Sequence, residues 1–111
     1  MQDARSFAVA ACAELGPIAG VSEADKAKAA SAVFTELHKW AETSLAVGAG
    51  EEATEKRLRV GLKAVRKKFK DDPKVGQAYG FIDPFTILSV ISALLSIGTW
   101  LWKWWTGRLG T

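Results

Sequence analysis

Apolar residues recur every three or four positions along most of the chain, which is the spacing of one face of an α-helix. Residues 3–15 carry this pattern, and Gly16-Pro17 ends it. Ser22 opens a second segment, predicted to run from 23 to about 47, because Ser22 is a favourable N-cap and Asp25 follows three residues later. The apolar positions are Ala4, Phe7, Ala8, Ala11 and Leu15 in the first segment and Ala27, Ala30, Phe34, Leu37, Ala41 and Leu45 in the second.

A third amphipathic helix is predicted after the glycine-rich joint at residues 48–50. It begins near Glu51 and ends before Asp71-Asp72-Pro73, a sequence that breaks helices. Its apolar stripe is narrow, and most of its other positions are Lys or Arg. The stripe consists of Leu58, Leu62, Val65 and Phe69. Residues 1–72 are therefore predicted to form a helical head, and residues 73–83 a linker.

The C-terminal part of the chain has a different pattern, because residues 85–102 contain no charged side chain. Asp83 followed by Pro84 predicts a helix start, with a capping carboxylate and a proline at the first helical position. We expect one long hydrophobic helix over residues 84–106, followed by a tail at 107–111. The absence of two-residue alternation predicts an all-α fold, with three short amphipathic helices followed by this long one.

The length of the hydrophobic helix fits a single membrane span, because about 20 apolar residues cross the hydrocarbon core of a bilayer. Tryptophan is concentrated at its C-terminal end, as is typical of residues at a membrane interface. The predicted interface residues are Trp100, Trp102, Lys103, Trp104 and Trp105. The alternative is a helix that is buried in a larger protein assembly. A span would place the N-terminal head in the cytoplasm, because the basic residues precede it.

One face of the hydrophobic helix carries small and hydroxylated side chains. This helix-packing seam consists of Thr86, Ser89, Ser92, Ala93, Ser96 and Thr99. Such residues allow helices to approach closely and to form hydrogen bonds with each other in a bundle. The seam therefore predicts a homo-oligomer or a larger protein assembly.

Positive charge is concentrated in one part of the chain. The net charge is +3, but residues 56–74 carry +7 and the rest of the chain carries −4. Such a block is typical of binding to a polyanion, either an anionic lipid membrane or a nucleic-acid backbone, although it also occurs on a merely solvated helix face. The candidate polyanion-binding residues are Lys56, Arg57, Arg59, Lys63, Arg66, Lys67, Lys68 and Lys70.

The residue types that catalysis needs do not occur in a recognisable arrangement. His38 and Cys12 are the single histidine and the single cysteine, and neither is placed with the partners of a nucleophile or a zinc site. A phosphate-binding glycine loop is also missing. We therefore expect a protein that is not an enzyme, with no metal, no cofactor and no small-molecule substrate.

Three functional hypotheses follow. The first is a small structural or assembly subunit that is membrane-associated through its C-terminal helix, such as a minor component of a membrane complex or of a virus or bacteriophage particle. In the latter case it would reside within the virion. The second is a holin-like pore former. The third is a soluble polyanion-binding module whose C-terminal helix docks on a partner.

Overall fold

The chain folds into α-helices joined by short connections. The computed structural model describes residues 3–45, 50–80 and 83–107, and across these ranges it contains six helices and no strand. The helices are α1 (Ala4–Leu15), α2 (Glu23–Ser44), α3 (Glu51–Asp71), α4 (Pro73–Gln77), α5 (Pro84–Ser96) and α6 (Trp100–Trp105). The all-α prediction is confirmed. Residues 48–49 of the predicted joint and residues 108–111 of the predicted tail lie outside the described residues.

Helix α2 is the centre of the fold, because α1, α3 and α5 all pack against it. It ends at Ser44, a little before the predicted end at about residue 47. Its buried surface is wider than the predicted stripe, since Ala29 and Val33 are fully buried as well as Leu37. A helix with neighbours on three sides must bury more than one face.

The turn between α1 and α2 is held by a buried lysine that the hydrophobic pattern did not single out. Lys26 is only 1% exposed. Its Nζ donates hydrogen bonds to the carbonyl oxygens of Gly16, at 2.6 Å, and Cys12, at 3.4 Å, and it lies 2.9 Å from a Glu23 carboxylate oxygen. The last carbonyls of a helix have no partner inside the helix. Lys26 therefore caps the C-terminus of α1 from the first turns of α2.

The apolar stripe of α3 is buried as predicted, and a glycine brings α3 close to α2. Leu58, Leu62, Val65 and Phe69 are all buried. A Cβ atom on Gly61 would lie 2.6 Å from the Trp40 ring and 2.8 Å from Leu37 Cδ1. These distances are too short for nonbonded carbon atoms, so any larger residue at this contact would force its neighbours to move.

The prediction of one long hydrophobic helix over 84–106 is wrong. The segment forms α5, of 13 residues, and α6, of 6 residues, with a turn between Ser96 and Trp100. Gly98 has a φ of 60° in this turn, a conformation that glycine adopts more readily than other residues. In the described part of the chain, no helix has both the length and the apolar character required to cross a membrane.

Because the helix is interrupted between α5 and α6, the C-terminal tryptophans pack against the protein's own core. Helix α5 packs against α2 and α3, and α6 packs against α3. The apolar face of α5 is buried there, and it consists of Ile87, Val90, Ile91 and Leu94. The apolar surface that predicted a membrane span therefore contacts α2 and α3 of the same molecule.

A short helix occupies part of the predicted linker. Asp72 accepts a hydrogen bond from the Lys74 amide at 3.0 Å, and Pro73 occupies the first turn of α4. This is the Asp-Pro start that predicted α5 at Asp83-Pro84, so the same pattern was available at residues 72–73. Residues 81 and 82 of the predicted linker lie outside the described residues.

Candidate functional site

The outer face of α3 is the most strongly charged surface of the described structure. Because the stripe of α3 is buried against α2 and α5, the rest of the helix circumference faces solvent. All eight candidate polyanion-binding side chains are exposed there: Lys56, Arg57, Arg59, Lys63, Arg66, Lys67, Lys68 and Lys70. All eight predicted residues are therefore accessible to a ligand.

Half of these cations already have partners within the fold. Lys56 pairs with Glu52 at 3.5 Å, and Arg59 pairs with Glu55 at 3.6 Å. Lys68 Nζ lies 3.2 Å from Glu36 Oε2. The guanidinium of Arg57 donates a hydrogen bond to the carbonyl oxygen of Ser44 at 3.4 Å. These contacts reduce the positive charge available to a ligand, mainly at the N-terminal end of the basic block.

The other four cations form what we call the basic row: Lys63, Arg66, Lys67 and Lys70. Their spacing of three and four residues places them on one side of the helix. Together with Asp71 they line an open groove of about 390 Å³. Among the described side chains, no carboxylate lies within ion-pair distance of any of the four. The row is thus a concentrated positive charge that folding does not neutralise.

A second concave feature, the α2–α3 cleft, lies beside the basic row. Its volume is about 280 Å³, and its lining consists of Glu36, Lys39, Trp40, Ala64, Val65 and Lys68. Glu36 is only 6% exposed. Sequence reasoning missed this cleft, although Glu36 beside Leu37 on the buried side of α2 was an available indication. An acidic residue on a buried helix face requires a partner.

Tyr79 lies near the same buried carboxylate, and its ionisation offers a test of that geometry. Burial and the neighbouring Glu36 raise the pKa of Tyr79 from 10.0 to about 12. Because the folded-state pKa is raised, folding opposes ionisation, and the associated stability is lost as the pH rises from 10 towards 12. The chain has a single tyrosine, so tyrosinate absorbance reports this group alone.

We expect a titration midpoint near pH 12 in the native protein and near 10 in denaturant. Glu36→Gln removes the nearby negative charge, and we expect it to lower the native midpoint. Circular dichroism at each pH establishes that the titrated protein is folded. A native midpoint of about 10 would contradict the described environment of Tyr79.

The predicted helix-packing seam lies mainly on the outward side of α5 and of the turn after it. Thr86 is buried, Ser89 and Ala93 are half-buried, and Ser92, Ser96 and Thr99 are exposed. The Ser96 hydroxyl donates a hydrogen bond to the Ala93 carbonyl at 2.7 Å. This hydroxyl therefore already has a hydrogen-bond acceptor within its own helix.

Three of the predicted membrane-interface residues, Trp100, Trp104 and Trp105, take part in an aromatic cluster. Trp102 and Trp104 are buried, Trp100 and Trp105 are half-buried, and Lys103 is exposed. The Trp104 ring centroid lies 5.1 Å from that of Phe7 and 5.6 Å from that of Phe34, both with edge-to-face geometry. These tryptophans join α6 to α1 and α2.

His38 and Cys12, the two residues considered for catalysis, are both half-buried among other side chains. The His38 ring lies 5.9 Å from the rings of both Phe34 and Trp105, and its Nδ1 is 3.1 Å from Glu42. Cys12 is half-buried, and burial raises the pKa of its thiol, so its reactive thiolate is disfavoured. In residues 3–45, 50–80 and 83–107 no group of His, Cys, Asp and Glu side chains could hold a metal ion.

No protein-family model, no curated protein and no solved structure matches this chain. Its function must therefore be inferred from its own geometry.

Proposed function

We propose that this protein is a non-enzymatic module that binds the phosphate backbone of nucleic acid through the basic row. The observation that supports this proposal is the set of four exposed cations on one side of α3 that no described carboxylate neutralises. Leaving like charges close together is unfavourable for folding, and a polyanion relieves that repulsion.

The dimensions of the row suit a phosphate backbone. Seven residue steps separate Lys63 from Lys70, which is about 10 Å along a helix axis. Each strand of duplex DNA carries about one negative charge per 3.4 Å of the axis, so a row of this length faces about three phosphates of one strand. Neutralising them releases condensed counterions, and this release favours binding without reading the base sequence.

The surroundings of the row favour nucleic acid over a lipid surface. An amphipathic helix that binds a bilayer buries its apolar face among the lipids. In α3 that face is occupied, since Leu58 and Leu62 are each only 1% exposed within the protein core. The surface of α3 that remains for a ligand is predominantly basic, apart from Val60, and this favours phosphate over the apolar interior of a bilayer.

The two membrane hypotheses drew their support from an uninterrupted hydrophobic helix, which α5 and α6 do not form. The outward position of Ser92, Ser96 and Thr99 is compatible with self-association, but these are small side chains with little apolar area to bury. Phosphate binding by α3 therefore has the stronger support.

Two variants of equal charge change test the proposal. The row variant carries Lys63→Gln, Arg66→Gln and Lys70→Gln. The control variant carries Arg5→Gln, Lys28→Gln and Lys103→Gln, which are also exposed and lie on three other helices. Each variant replaces two lysines and one arginine, so the net charge falls equally.

Binding to a fluorescent oligonucleotide, measured by anisotropy across a salt series, is expected to weaken roughly tenfold or more in the row variant. The slope of log affinity against log salt is expected to decrease by about 2–3, because each lost phosphate contact changes it by about 0.7 on a single strand and about 0.9 on a duplex. The control variant should retain most of the affinity. Equal losses in both variants, or binding only to phosphatidylserine vesicles, would overturn the proposal.

A further inference from the structure

We propose that the α2–α3 cleft accepts one unpaired nucleobase, which stacks against Trp40, so that the nucleic acid bound is single-stranded. This inference rests on the proposed function, because the basic row supplies the contacts to the backbone. Proteins that bind single strands combine a positively charged path for the phosphates with aromatic surfaces for the bases.

Trp40 provides a fixed aromatic wall. Its ring is half-buried and lines the cleft, and its edge packs so closely on α3 that a Cβ atom on Gly61 would collide with it. The ring is therefore held in place before any ligand binds. A preorganised surface loses little conformational entropy on binding, so most of the stacking energy contributes to affinity.

The polar lining of the cleft suits a base and its phosphate. Glu36 lies within the cleft, with Oε2 3.2 Å from Lys68 Nζ and Oε1 3.9 Å from Lys39 Nζ. A carboxylate accepts hydrogen bonds from the exocyclic amino groups of bases. The side chains of Lys39 and Lys68 are 64% and 52% exposed, so both ammonium groups also reach the solvent side, where a phosphate would lie.

The cleft flanks the basic row. Lys67 of the row and Lys68 of the cleft are consecutive residues, about 100° apart around α3, and the exposed Ala64 is one helical turn before Lys68. A backbone bound along the row therefore runs beside the cleft. At about 280 Å³ the cleft is suited to a single flat ring. In a duplex, a base would first have to leave its stack and its pair, at a cost of a few kcal/mol.

An oligonucleotide and its abasic analogue of the same length carry the same phosphates. Comparing their affinities therefore distinguishes base binding by the cleft from phosphate binding by the row. We expect the wild-type protein to bind the base-containing strand roughly tenfold more tightly than the abasic strand, as one stacked base would provide. Replacing Trp40 would disturb the core, so the test variant is Ala64→Gln, which fills the opening of the cleft from an exposed position without changing the charge.

Ala64→Gln is expected to remove the preference for the base-containing strand while leaving affinity for the abasic strand unchanged. The matched control is Ala53→Gln, an equal substitution at another exposed position of α3, and it should retain the preference. If the wild-type protein binds both strands equally, the inference fails while phosphate binding by the row stands. If it binds neither strand, the proposed function itself fails.

Discussion

Replacing Trp104 by alanine is expected to lower the free energy of unfolding by about 3–5 kcal/mol. The side chain is only 9% exposed, and its ring packs edge-to-face on Phe7 and Phe34. Alanine would remove these contacts and leave a cavity between α6, α1 and α2. Because domains of this size are marginally stable, such a loss is a large fraction of the total stability.

Urea unfolding followed by circular dichroism measures this change, and Lys103→Ala at the neighbouring exposed position provides the control. We expect the control to alter the unfolding free energy by no more than about 0.5 kcal/mol. The same experiment distinguishes a core tryptophan from one at a membrane interface. A Trp104→Ala protein as stable as the wild type would contradict the core position of this residue.

Replacing Gly61 by alanine is expected to destabilise the protein by about 1–3 kcal/mol, because the added methyl group overpacks the α2–α3 contact. Helix propensity alone predicts the opposite sign, since alanine is favoured over glycine within a helix by about 1 kcal/mol. The collision is the larger effect. The methyl carbon would lie 2.6 Å from the Trp40 ring and 2.8 Å from Leu37. Leu37 is fully buried and the Trp40 ring is half-buried, so neither side chain can move away easily.

A double-mutant cycle with Trp40→Ala tests this origin of the effect. Removing the ring should make Gly61→Ala less harmful, and the pair should show a coupling free energy of at least about 0.5 kcal/mol. Leu37 remains close to the new methyl group, so we expect partial relief. If Gly61→Ala stabilised the wild-type protein, the close approach of α3 to Trp40 would be refuted.

The starts of α2 and α5 could be predicted because their determinants are local. The Ser22 hydroxyl accepts a hydrogen bond from the Asp25 amide at 3.2 Å, and Asp83 accepts one from the Phe85 amide at the same distance. Each cap depends on residues two or three positions apart, so the order of residues is sufficient to identify it. The buried stripe of α3 follows from helical spacing in the same way.

The basic row could also be predicted in part. Spacing placed its cations on one side of α3, and their high charge predicted exposure. Which of the basic residues have partners could not be predicted. Lys68 pairs with Glu36, which lies 32 residues away in sequence, and such a contact depends on how α2 and α3 pack. The α2–α3 cleft was missed for the same reason.

The sequence by itself determined the helical content, the helix start at Asp83-Pro84 and the concentration of positive charge on one helix, because these properties depend on neighbouring residues. It did not determine whether the apolar segment contacts lipid or the protein core, since both environments favour the same side chains. Only the tertiary structure decided that question. The turn at Gly98 allows α6 to fold back, and the tryptophans then pack on Phe7 and Phe34, which are distant in sequence.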